Sequence, residues 1–61
     1  MDAAKELRKL ELAAAKRALR QAVANCRILA LSVGKGDDAN DLELLRSTIR
    51  LLSLCVKIID S

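Results

Sequence analysis

Residues 42–59, Leu42-Glu43-Leu44-Leu45-Arg46-Ser47-Thr48-Ile49-Arg50-Leu51-Leu52-Ser53-Leu54-Cys55-Val56-Lys57-Ile58-Ile59, decide how the rest of this 61-residue chain is arranged. Wound as a helix at 100° per residue, Glu43, Arg46, Arg50 and Lys57 fall inside an arc of about 80°. The apolar side chains spread over roughly two-thirds of the circumference, whereas an ordinary surface helix has one stripe little more than ~100° wide. Two seams result. Leu42, Leu45, Ile49, Leu52, Val56 and Ile59 follow a 3-4 spacing, and Leu44, Thr48, Leu51, Cys55 and Ile58 follow a second. One other helix covers one seam. The other seam must meet a second copy of the chain, a different partner or lipid.

Just before this stretch, Gly34-Lys35-Gly36-Asp37-Asp38 is a short, polar, flexible connector, which makes the helices it joins antiparallel neighbours. Gly34 stands where a left-handed residue ends a helix. Asp37 or Asp38 starts the second helix, with Asn40 and Glu43 offering a competing capping box. Asp2 caps the first helix, Glu6 lies in its first turn, and Arg27 is placed toward its C-terminal dipole. The expected fold is all-α: one antiparallel hairpin over residues 1–61, with helix 1 about 2–33, loop 34–38 and helix 2 about 39–60. At 1.5 Å per residue the helices measure about 46 and 33 Å. Helix 1 is therefore expected to overhang by two to three turns, leaving Leu7 and Leu10 uncovered by their own chain.

The inward face expected of helix 1 is Leu12, Ala15, Leu19, Ala22, Cys26, Leu29 and Val33. Beside it runs a seam of small and polar residues: Leu7, Glu11, Ala14, Ala18, Gln21, Asn25, Ile28 and Ser32. A buried, unpaired amide costs about 1–3 kcal/mol, and Asn at such a position is a known device for fixing register and oligomer state. Asn25, with Gln21, Ser32, Ser47 and Thr48, forms the expected set of polar specificity residues and a candidate hydrogen-bond network. The competing reading has them at seam edges in solvent or back-bonding to the i−4 carbonyl. In a ring of several copies, Glu11, Gln21, Asn25 and Ser32 would instead line a polar channel or ligand cavity.

Composition narrows the function classes. Hydrophobic residues make up 52% of the chain, without any Phe, Tyr, Trp, His or Pro, so the core is Leu, Ile, Val and Ala. A chain this short needs oligomerisation, a staple or very regular helix packing. Two Cys without His do not supply a four-ligand metal site. Cys26 and Cys55 fall about 12 Å apart along an antiparallel pair, too far for an intrachain disulfide, and both are expected as buried free thiols. Reduced thiols suit a cytosolic or recombinant setting. There is no His or Tyr to move protons, no phosphate loop and no Ser or Cys nucleophile with a base, so the chain is not read as an enzyme and needs no cofactor. Its acidic, helical start is not that of a signal peptide. Four ionisable groups in residues 42–59 oppose a membrane span.

Residues 1–33 carry seven Lys and Arg against three acids, and residues 34–61 carry four against five. Lys9, Lys16, Arg20 and Arg27 thus form a basic stripe on helix 1. Such a stripe attracts phosphates or anionic lipid, yet no aromatic residue is present to stack on a base, and the simpler reading is a solvated face that discourages aggregation.

Three features together resemble de novo designed helical hairpins that self-associate into symmetric bundles: the strong helix formers Lys5 to Glu11, the Ala13-Ala14-Ala15-Lys16-Arg17 stretch, and the Gly34-to-Asp38 connector. The lack of aromatics and the few polar groups set in apolar seams belong to the same style. The resemblance implies a structural protein that assembles with itself and has no natural substrate. The expected partner is another copy, as a trimer to hexamer rather than a dimer, through Leu42, Leu45, Ile49, Leu52, Val56, Ile59, Leu7 and Leu10. A small basic hairpin that binds nucleic acid shares the plan, without a matching motif here.

Overall fold

Strong helix formers and the absence of proline set two long helices on either side of the glycine pair. The computed structural model describes residues 2–61. In it α1 spans Ala3–Ser32 and α2 spans Asp38–Asp60, with no strand among the described residues. Asp2 caps α1, its carboxylate accepting the Ala4 N–H at 3.0 Å. At the other end the Val33 N–H donates to Leu29 O at 2.9 Å, and the Lys35 N–H to Ser32 O at 3.1 Å. Between them Gly34 sits at φ 87°, a conformation that costs a residue with a Cβ. α2 begins after Asp37, whose carbonyl accepts the Asp41 N–H at 3.1 Å while its side chain makes no capping bond. The Asn40–Glu43 pair therefore lies inside the helix. The last turn of α1 carries no basic residue. Arg27 stands more than a turn from Ser32, beyond the reach of the terminal dipole.

The two helices meet along a narrow, small-residue contact. Ala15, Ala18, Ala22 and Leu29 of α1 and Cys55 of α2 are buried, together with the polar Asn25, Asp41 and Thr48. Leu51 and Ile58 pack on the Ala15–Ala18–Cys55 cluster. Of the two α2 seams, the one containing Thr48 and Cys55 thus faces α1. The inward face expected of helix 1 is corrected here: the contact line runs between its two seams, and Leu12, Leu19, Cys26 and Val33 are exposed. The reason is steric. Alanines let the backbones come close, and the Cys55 thiol donates to the Ala15 carbonyl at 3.3 Å, so larger side chains are turned to the flanks. Both cysteines are free, Cys55 buried but Cys26 exposed rather than buried.

Arg8 closes the open end of the hairpin. Its Nη1 donates to Ile58 O at 2.6 Å and to Ser61 Oγ at 3.2 Å, and its Nη2 donates to Ile59 O at 3.1 Å. Glu11 holds the same guanidinium at 3.4 Å. The last carbonyls of a helix have no intrahelical donors, and here a cation from the other helix supplies them at the negative end of the dipole. Arg8 reaches these carbonyls from the overhang of α1: the Cys55–Ala15 and Asp41–Ser32 bonds set the end of α2 level with about residue 12, which leaves two to three turns of α1 beyond it, as expected. Leu7 and Leu10, 58% and 66% exposed, both lie on that overhang. Replacing Arg8 by Ala is expected to lower unfolding stability by about 1–2 kcal/mol, read by urea denaturation at fixed chain concentration, with Arg8→Lys recovering only part because it lacks the fork of donors.

Candidate interaction face

The inside of the hairpin is where its polar groups gather. Ser32 Oγ donates to Asp41 Oδ1 across the loop end of the pair, and Asp41, only 5% exposed, leaves Oδ2 without a partner. Asn25, also 5% exposed, accepts from Gln21 Nε2 at 3.0 Å. Thr48 Oγ1 donates to Leu44 O at 2.8 Å, so its hydroxyl is satisfied by its own helix. Of the five expected polar specificity residues, Asn25, Ser32 and Thr48 lie between the two helices of one chain, and Gln21 sits at the edge. Ser47 is exposed, in an outer groove with Asn40, Glu43, Arg46 and Arg50. Of the four residues that would line a lumen, Glu11, Asn25 and Ser32 are turned toward α2 by the same alanine contact, and Gln21 is exposed.

Asp41 is the buried polar residue of this inner face that sequence reasoning missed. An acid in the first turn of a helix is ordinarily a solvated dipole partner. Its signal was present in the spacing, because Asp41, Thr48 and Cys55 recur every seven residues, and Asp41 lies three residues before Leu44, where the inward seam begins.

On the outside, the hairpin presents leucine. All eight residues expected at an oligomer contact (Leu7, Leu10, Leu42, Leu45, Ile49, Leu52, Val56 and Ile59) are exposed in the chain. Six of them share one flank of α2, and the same side of the hairpin carries Leu12, Leu19, Val23 and Cys26 of α1. Leu12 and Leu19 line a shallow groove with Ile59, and Leu19, Val23 and Cys26 line the next with Leu52. The result is a continuous apolar face two helices wide, bordered on the α1 side by Lys9, Lys16 and Arg27. The other flank of α2 is polar, as the Asn40–Arg50 groove shows.

Comparisons with protein-family models, curated proteins and solved structures find no match for this chain. Among the described residues, no group of three or more His, Cys, Asp or Glu is placed to hold a metal ion, and no helix is long and apolar enough to cross a membrane.

Ser32→Ala is expected to cost about 1–3 kcal/mol by stripping the buried Asp41 carboxylate of its donor within the chain. The double variant Ser32→Ala/Asp41→Leu is expected to regain that loss or exceed wild type, since it removes the charge along with its partner. Chemical denaturation of the two variants side by side checks this, and equal destabilisation by both would contradict it.

Proposed function

We propose that this hairpin is a self-assembling structural protein without catalytic activity, and that copies of it associate through the two-helix apolar face. One observation carries the reading. Among the described residues, fifteen large hydrophobic side chains are exposed in the single chain, while Leu29 is the one leucine that is buried. Exposed apolar patches of this continuity mark interaction surfaces on soluble proteins, and burying each such side chain contributes about 1.5–3 kcal/mol. A chain with small residues inside and leucines outside has the distribution that a hairpin designed for assembly requires. Its interior alone is too thin to be the core.

The face is self-complementary in chemistry, apolar along its centre with charge only at its borders, which suits an isologous contact between identical subunits. One neighbour covers it, so two copies form the smallest closed assembly. Three to six copies follow where Leu10, Ile28, Leu31 and Leu54, exposed elsewhere on the surface, are covered as well. The buried Asn25 then sets the register of α1 on α2, at some cost in stability.

Sedimentation equilibrium across micromolar concentrations is expected to give a multiple of the chain mass. Leu52→Lys, at the centre of the face, is expected to weaken association at least tenfold. A well-ordered helical monomer over that range defeats the proposal. Asn25→Leu is expected to raise the denaturation midpoint while broadening the distribution of assembled species; one unchanged species would count against its role in register.

A further inference from the structure

We infer that two copies pair across the Leu12–Leu19–Leu52–Ile59 face with their hairpins antiparallel, the loop of each lying beside the open end of the other. The inference rests on the self-assembly proposed above and adds the direction of the pair. The chain extends 54 × 15 × 12 Å, and the face runs along its paired part, from Leu12 and Ile59 to Leu42.

Charge sets the direction. Residues 34–43 at the loop end carry one Lys against four acids, while residues 2–20 of α1 carry six Lys and Arg against three acids. A parallel pair sets acidic tip against acidic tip and basic helix against basic helix. An antiparallel pair sets each acidic tip beside the partner's Lys5 and Lys9, and complementary charges of this kind fix orientation more than they add affinity.

The buried Asp41 points the same way, on separate grounds. Arg8, bonded to the end of α2, and Ser32, bonded to Asp41, hold the two ends of the hairpin, and the residue midway between them is Arg20. A two-fold axis there brings Asp41 level with the partner's Lys9, which borders the face. In a parallel pair, the partner's groups at that level are Leu31, Ser32 and Val33, none of them cationic. Asp41 Oδ2, without a donor in its own chain, thus has a cation at its own level in the antiparallel arrangement and none at that level in the parallel one.

Electron–electron distance measurement on nitroxide-labelled Lys35→Cys, in a Cys26→Ser/Cys55→Ala background, reads the direction. An antiparallel pair is expected to give a main distance beyond about 35 Å, the length of α2. A main distance below about 20 Å means parallel hairpins and overturns the inference. The unsubstituted chain supplies a second reading that needs no new side chain. Antiparallel pairing holds the two exposed Cys26 residues about 18 Å apart along the axis, so diamide is expected to leave the assembly free of covalent dimer. Parallel pairing brings them level, and rapid Cys26–Cys26 cross-linking would overturn the inference. A lone-chain mass in sedimentation removes the self-assembly reading along with the pair, whereas a short distance within a proven assembly removes the direction alone.

Discussion

The methyl group of alanine sets the geometry of this hairpin. Where Ala15, Ala18 and Ala22 face α2, the backbones come close enough for the Cys55 thiol to reach the Ala15 carbonyl. A contact made by such short side chains is narrow. It leaves no room for Leu12 and Leu19 between the helices, so they stand on the flank, where they join Leu52 and Ile59 in one surface. The interior of the pair and its exterior are thus two consequences of one packing choice.

A contact this thin is held in place by polar groups at its ends. Arg8 ties the first turns of α1 to the last carbonyls of α2, and Ser32 bonds Asp41 at the loop. Each works because a helix terminus presents backbone or side-chain groups that its own helix leaves unsatisfied. Between them, Asn25 and Thr48 occupy buried positions and find partners on their own helices, in Gln21 and Leu44. Hydrophobic burial within the chain is small, and the side-chain bonds that cross from one helix to the other are those of Arg8, Ser32 and Cys55. The large apolar side chains stand on the outer face.

The plan of the fold was legible in the residues. Asp2, the Gly34 turn and the 3.6-residue periodicity of both arms mark a two-helix hairpin, because these signals are local and their physics acts over one or two turns. The candidate face was legible in part. Its α2 half, from Leu42 to Ile59, is visible as a seam; its α1 half was assigned to the interior, because a helical wheel shows which residues share a face and not which face meets the neighbour. Arg8 and Asp41 escaped notice for a related reason. Each is an ordinary charged residue in sequence, and acquires its role from a group that lies 50 or 9 positions away along the chain.

The sequence by itself determined that this protein is two helices joined by a glycine turn, and that its apolar surface exceeds what one helix covers on another. Those properties follow from counting and periodicity, which need no knowledge of contacts. The tertiary structure alone decided which seam is spent inside. Two faces of α1 have comparable apolar character, and the choice between them depends on how closely backbones approach when small side chains oppose Thr48 and Cys55. That is a matter of three-dimensional shape, and a one-dimensional pattern does not contain it.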